Sequence, residues 1–331
     1  MTTDLRLVES SDWASLLEEF PSSTVFHTSE WLETVGELTG THLIRLAVFN
    51  SAGPIFLFPL FLKRVAGMRA LLSPPPGLAI EYLGPLYNFP PRAKRDKREA
   101  MAYESTKLAI EMLRRKFQPT IFYVRTTPAV DDVRPWQWLN FDARPLYTYD
   151  VDLRHGPEAV LSTFKRELRN DLGRVRNRLQ IEEAGPESIE LIHRFVTSRF
   201  RSQELSFDVP DAYVHALFNR LWPRNMRAML ASSEGEPVAG VILTVYNRRV
   251  AAWIGARSPH RLPLPVMDAL FWSAIQASCS WGADVFELMG ANVQRISAFK
   301  VKYNATLSSF FQLQSSGLAG WLLSSIYHRL H

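Results

Sequence analysis

Lys300 and Lys302 stand just downstream of a short apolar run, Val285-Phe286-Glu287-Leu288-Met289, within the stretch ADVFELMGANVQRISAFKVKYNA (283–305). The run reads as a buried strand. Gly290 and Asn292 supply turn chemistry, and an amphipathic turn or two of helix follows, carrying Phe299, Lys300, Lys302 and Tyr303. A strand that enters a loop and brings two ammonium groups to one place could hold a phosphate or a carboxylate; the plain alternative is a solvated helix with two surface lysines. Lys300 is the candidate electrostatic stabiliser. Glu287, near the C-terminal end of the strand, is the candidate general base, against the ordinary role of salt-bridge partner.

The densest charge lies in Lys165–Arg178, KRELRNDLGRVRNR. Leu161, Phe164, Leu168, Leu172, Val175 and Leu179 recur at spacings of three and four, so one face of a helix is buried and Lys165, Arg166, Arg169 and their basic neighbours crowd the other. Such a strip is either a solvated helix face or a contact for phosphates, whose oxygens suit the guanidinium fork. Tyr82, after the proline run Ser73–Gly77, could donate a hydrogen bond to substrate; packing is the alternative. Gly-x-Ser-x-Gly, His-Glu-x-x-His, Cys-x-x-Cys and GxxxxGK[ST] patterns are missing, and the eight histidines are scattered, which argues against a metal enzyme. The lone Cys279 has no His or Asp beside it. This inventory fits group transfer: moving an activated acyl group to an amine needs positioning, positive charge for an anionic donor, and one base.

Elements positioning these residues follow from periodicity. The 331 residues, 47% hydrophobic, can bury a large core, and the length favours two domains. The net charge of +5 suits an anionic ligand, and the single cysteine fits a reducing compartment. An acidic N-terminal stretch where a signal peptide would be apolar, and a longest apolar run of nine residues (54–62), point to a cytoplasmic protein. Helices are expected at 12–20 and from Thr28 or Ser29, with Trp31 turned inward. The hairpin 42–49/55–63, a helix at 92–117 and a strand at 120–126 follow, then a loop at 128–140 and a strand at 147–153. The second half reads as a helix over 157–179, a short strand at 180–183, helices at 187–204 and 211–221, strands at 226–232, 237–246 and 250–256, a helix at 265–281 and a strand at 284–289. LAVFNSAGPIFLFPLFLKRV (46–65) parallels MLASSEGEPVAGVILTVYNRRV (229–250), and in both halves a hairpin leads through a long helix to a strand ending in a loop. The expected fold is α/β with two domains, 1–145 and 146–331, each a mixed sheet flanked by helices.

Four segments then resemble a known family. Phe26–Trp31, FHTSEW, is similar to the Phe-x-x-x-x-Trp opening of FemAB-like proteins with a GNAT-type acyltransferase fold, and Tyr82-Leu83-Gly84-Pro85 to their Tyr-x-Gly-Pro segment. Thr163–Leu172 resembles their basic helix, and Phe286–Gly290 followed by Phe299-Lys300-Val301-Lys302-Tyr303-Asn304 their closing Phe-Lys-x-x-Phe-Gly pattern. The resemblance covers about residues 20–312. It implies two tandem GNAT-like domains and transfer of an acyl or aminoacyl group to an amine of a peptide-like or sugar-linked acceptor. Aminoacyl-tRNA or acyl-CoA would be the donor co-substrate, with no tightly bound cofactor. Lys300 falls on the lysine associated with donor or transition-state stabilisation, and Trp31, Tyr82, Lys165, Arg166, Arg169, Asn292, Phe299 and Tyr303 join it as candidate substrate contacts. Asn304 stands where the family has glycine; asparagine tolerates the left-handed conformation. The segment before the helix at Pro265, RSPHRLPLP (257–265), is broken by prolines where an acetyl-CoA-dependent GNAT carries an Arg/Gln-x-x-Gly-x-Gly/Ala loop. The alternative reading is a non-catalytic module binding RNA or an anionic lipid headgroup. Leu318–Leu330 aligns Trp321, Leu322, Ile326 and Leu330 along one side, which could rest on a membrane surface or dock on its own domain.

Overall fold

A computed structural model describes residues 3–65, 67–175, 177–259 and 262–315. The segment 318–330 and Arg176 lie outside the described residues. The chain divides into two compact units, one built from residues up to Leu146 and rejoined from Ser309, the other Tyr147–Ser308. In chain order come β1 (Asp4–Leu7), α1 (Ser10–Glu18), α2 (Ser29–Thr39), β2 (His42–Asn50), β3 (Gly53–Val65), β4 (Met68–Ser73), β5 (Leu86–Tyr87), α3 (Arg95–Phe117), β6 (Ile121–Arg125) and α4 (Arg134–Trp138), and β7 (Phe141–Asp152) crosses the boundary. The second unit continues with α5 (Gly156–Thr163), α6 (Arg166–Val175), β8 (Gln180–Ala184), α7 (Ile189–Arg201), α8 (Asp211–Leu221), β9 (Met226–Ser233), β10 (Glu236–Tyr246), β11 (Arg249–Arg257), α9 (Val266–Ser280), β12 (Val285–Glu287) and α10 (Gln294–Lys300). The chain then enters β13 (Thr306–Ser315).

Both units are mixed sheets flanked by helices. In the first, β1 to β4 pair antiparallel in succession, β4 runs parallel to β6, and β6 is antiparallel to β13. In the second, β8 to β11 pair antiparallel in succession, β11 runs parallel to β12, and β12 is antiparallel to β7. The repeated motif is thus an antiparallel meander followed by a helical crossover, α3 or α9, to a parallel neighbour. A parallel pair needs such a crossover, since no tight turn can reverse the chain twice. Ala109, Ile110 and Leu113 of α3 pack with Phe56, Phe58, Phe122 and Trp136 in one core. Leu270, Ala274 and Ile275 of α9 pack with Val241, Leu243 and Phe286 in the other.

Three differences from the sequence reading have local causes. Residues 128–140 are not all loop: Pro135 sits in the first turn of α4, where a missing N–H costs nothing, and the fully buried Trp136 anchors it. The helix expected over 157–179 breaks at Phe164, whose backbone is extended (ψ 148°). Its ring is buried against Trp272 and Tyr303 at 5.5 and 5.3 Å, and that burial outweighs one turn of helix. Residues 309–315, assigned by sequence to the second half, lie with the first unit because β13 hydrogen-bonds along β6.

The first two family-like segments meet in the first unit, and there they are packing. Thr28 caps α2 by accepting from Trp31 N–H at 3.4 Å. Trp31 is fully buried, and Phe26 meets both Trp31 and Tyr82 edge to face at 4.8 and 5.6 Å. Tyr82 also meets Phe310 and is 1% exposed, so its ring belongs to the core. Gly84 has φ +54°, and a Cβ there would lie 2.6 Å from the Arg125 carbonyl oxygen, so only glycine lets this segment lie against the end of β6.

His27 ties the two segments together. Thr24 N–H donates to Nδ1, which places the ring proton on Nε2, and Nε2 donates to Leu83 O at 2.7 Å. Burial outweighs these contacts and lowers the His27 pKa to about 4. Because the folded value lies below the ordinary 6.5, the unfolded chain binds the proton first as pH falls. The contribution is fully present above pH 6.5 and disappears between 6.5 and about 4, a change on the order of 3 kcal/mol. Urea unfolding of the wild type between pH 4 and 7 is expected to lose that stability, and His27→Gln to remove most of the slope; an equally steep variant would refute it.

Candidate active site at the parting of two strands

The second unit opens where its two parallel strands separate. β12 pairs with β11 only over Arg249↔Val285, Val250↔Phe286 and Ala251↔Glu287, whereas β11 runs on to Arg257. The chain after β12 turns away through Met289 and Gly290, both at φ 56°. Ser258 N–H bonds to Val238 O on the β10 side, so strand alternation aims the N–H groups of Arg257 and Gly255 at the opposite edge, into the wedge. A wedge bordered by a strand edge accepts an extended, amide-bearing ligand as an added strand.

Lys300 closes the base of this wedge. Its ammonium, 8% exposed, donates to Leu288 O and Met289 O at 2.5 Å each, satisfying carbonyls that the departing strand leaves without ladder partners. A Cβ at residue 290 would press within 3.3 Å of Nζ, which explains glycine there. Lys302 turns elsewhere: its Nζ lies 2.6 Å from Asp268 Oδ2 and 4.4 Å from the Phe299 ring centroid. The two lysines therefore do not converge on one anion; each answers a different local oxygen.

Glu287 is fully buried at the point of parting. It accepts from Thr148 Oγ1 at 2.7 Å and from Arg249 Nη1 at 3.1 Å, while the same guanidinium reaches Asp150 at 2.6 Å and Asp150 accepts from Ser308. This carboxylate is thus held in a defined orientation by a hydroxyl and a cation. Sequence reasoning did not single out Thr148, Asp150 or Arg249, since their partners lie on strands remote in sequence. Their only local signal is alternation along β7 and β11.

The last two family-like segments also meet. Lys165 N–H donates to Lys302 O, and the Phe164 ring packs on Tyr303. Tyr303 is fully buried, packs with Phe271 and the half-buried Phe299, and donates to Asp268 Oδ1 at 2.8 Å. Burial pushes the Asp268 carboxyl up from the ordinary range despite Lys302, and pushes the Tyr303 phenol well above its own. This triad pins the first turn of α9 to the segment after α10. Asn304 adopts the left-handed conformation at φ 49°. Asn292 is exposed and clasps the backbone of Tyr147, accepting from its N–H at 2.8 Å and donating to its carbonyl at 3.0 Å.

Lys165, Arg166 and Arg169 are exposed at and along α6. Arg169 borders a cavity of about 710 Å³ shared with Leu172 and Trp272, and Arg174 pairs with Asp171. Of the ten candidates, Lys300, Glu287, Phe299, Tyr303 and Asn292 gather around β12 and α10, the three basic residues lie on and beside α6, and Trp31 and Tyr82 belong to the first unit's core. Among the described residues no cluster of three or more His, Cys, Asp or Glu side chains could hold a metal ion, and no helix is long and apolar enough to cross a membrane.

The second unit is a meander, a helical crossover and a parallel strand pair that parts at its C-terminal end. Residues 160–300, most of the second unit, match the family model for an acetyltransferase (GNAT) domain. The fold is similar to that of FemX, with 11% identity over 93% of this chain and 96% of that one and a TM-score of 0.69. It is similar to L-PGS from Bacillus licheniformis, with 16% identity, coverage of 94% and 93%, and a TM-score of 0.55. A tandem GNAT protein from the clavulanic acid biosynthesis pathway gives 12% identity, coverage of 95% and 98%, and a TM-score of 0.52. No curated protein matches the sequence. Residues 160–300 are thus similar to a GNAT domain, and the likeness to the solved structures is one of fold.

Proposed function

We propose that the second unit transfers an acyl or aminoacyl group from an activated donor to a primary amine at the wedge between β11 and β12. The observation that carries this reading is the parting of the strands after Ala251 and Glu287, which exposes the edge of β11 beside a buried carboxylate. The donor's amide-bearing arm lies along β11, receiving the N–H groups of Gly255 and Arg257, with its acyl carbon near the parting point. The amine attacks that carbon, the C–N bond forms, and the bond to the donor's sulfur or oxygen breaks. Glu287 takes up the proton the amine sheds, and Lys300 holds the strand end that shapes the wedge. The acceptor is a peptide-like or sugar-linked amine, in keeping with the family-like segments. An acyl-CoA is the first donor to test, and aminoacyl-tRNA the second.

The experiment offers the full chain acetyl-CoA, longer acyl-CoAs and aminoacyl-tRNA with a panel of amines, following free thiol release and amide formation by mass spectrometry. Amide product from one donor class supports the reading. Absence of product with every donor, together with no donor-induced rise in melting temperature, would overturn it.

A further inference from the structure

The sheet of the first unit brings three segments remote in sequence to one end. β3 finishes there and β4 begins, with Arg64 directly opposite Arg69, a pairing of like charges that costs stability. The last turn of α3 is held against this hairpin, since Arg69 Nη1 donates to Phe117 O at 3.1 Å and Thr120 N–H to Arg69 O at 2.8 Å. β13 runs out beside them, because Gln314 pairs with Tyr123 near the start of β6. Residues 63–69, 114–122 and 314–331 carry three, three and one Lys or Arg and no Asp or Glu, in a chain that nearly balances 38 against 33. Lys63, Arg64, Arg114, Arg115 and Lys116 are exposed, and the last acid of α3, Glu111, pairs with Lys107 at 3.8 Å. Cations in the last turn suit the negative end of a helix, but Lys63 and Arg64, on a strand, have no such local reason.

We infer that this end of the first unit docks on an anionic lipid bilayer, its cations meeting lipid phosphates and the chain beyond β13 supplying apolar anchors. Residues 63–69, KRVAGMR, set valine, alanine and methionine between cations, the pairing of apolar area with positive charge that governs interfacial binding. Residues 316–331 lie outside the described residues; their sequence has Trp321, Leu322, Leu323, Ile326, Tyr327 and Leu330, one arginine and no acid. Tryptophan and tyrosine favour the membrane–water interface. Charge and apolar area together suit a bilayer, whereas a nucleic acid backbone would reward the charge alone. The rest of the unit fixes the orientation. Residues 7–44, which include α1 and α2, hold seven Asp or Glu and no Lys or Arg. Arg45 on β2 turns to Glu33 of α2, while its neighbours Ile44 and Leu46 join the core under α3, so the acidic helices cover the opposite face of the sheet. An anionic bilayer therefore attracts one part of the unit and repels another. The patch lies at the amino ends of the parallel strands β4 and β6, whereas the wedge of the second unit lies at the carboxyl end of its own pair. Docking and transfer thus use different ends of the repeated motif.

The test measures partition of the full chain onto vesicles of equal parts phosphatidylglycerol and phosphatidylcholine by co-sedimentation, with pure phosphatidylcholine as the control. Binding to the anionic vesicles alone, weakened by added salt, is expected. Lys63→Gln/Arg64→Gln/Arg115→Gln should lower it at least about tenfold, and Trp321→Ser/Leu322→Ser should lower it as well. Arg154→Gln/Arg224→Gln/Arg248→Gln removes the same charge from exposed positions of the second unit and leaves it nearly unchanged. Circular dichroism checks that each variant is folded. Equal binding to neutral vesicles, wild-type binding by either of the first two variants, or an equal loss in the third would overturn the docking surface. So would a duplex RNA that binds through Lys63, Arg64 and Arg115 and displaces the vesicles, since it would assign these cations to nucleic acid. Vesicle binding is read without any donor, so a failure of amide transfer leaves the docking surface standing.

Discussion

Lys300→Met will weaken the second unit by about 3 kcal/mol and lower acyl transfer about 100-fold. The stability loss follows from the two carbonyls, Leu288 O and Met289 O, that the ammonium satisfies in a buried place. Methionine preserves the length and packing of the side chain, so the change isolates the lost donors. The activity loss follows because those carbonyls belong to the left-handed turn that draws β12 away from β11; without Lys300 the wedge loses its defined width. Urea unfolding and the transfer assay read the two effects separately. A variant as stable as the wild type would show that the carbonyls find other donors. Full activity despite lower stability would show that the turn does not position the reacting groups.

Arg249→Met will cost about 3 kcal/mol, because it leaves Glu287, fully buried, and Asp150, largely buried, without the cation between them. Arg249 itself is 31% exposed, which screens the interaction and places the loss at the lower end of the range for buried pairs. Adding Glu287→Gln to Arg249→Met should recover at least about 1 kcal/mol, since the neutral amide no longer needs the guanidinium. Additive losses in that double-mutant cycle would show that the two side chains are not energetically coupled.

Much of this fold was legible in the sequence because its signals are local. The hairpin at β2 and β3, the long helix α3, and the order of β9, β10, β11, α9 and β12 follow from periodicity and from turn residues such as Ser51-Ala52-Gly53 and Glu234-Gly235. The break at Phe164 was not legible. Leu161, Phe164 and Leu168 fit a continuous helical stripe, and only Trp272 and Tyr303, more than a hundred residues away, pull Phe164 out of it. The candidate site divides along the same line. Lys300 and Glu287 stood out through one contiguous stretch, but the partners that define them, Leu288 O, Thr148 and Arg249, are set by strand register. Trp31 and Tyr82 stood out for the converse reason: both are buried in ring contact with Phe26, and a motif reports constraint without naming its cause.

The return of β13 to the first unit bears on how the chain is made. Tyr123 on β6 and Gln312 on β13 are hydrogen-bonded although 189 positions apart. During synthesis the first unit emerges with β6 lacking one neighbour, and the whole of the second unit must leave the ribosome before that neighbour arrives. The open edge of β6 is a template for the wrong strand throughout that interval. The second unit, continuous from Tyr147 to Ser308, has no such wait. The nascent chain thus completes its later unit first, and the order of translation is the reverse of the order of closure.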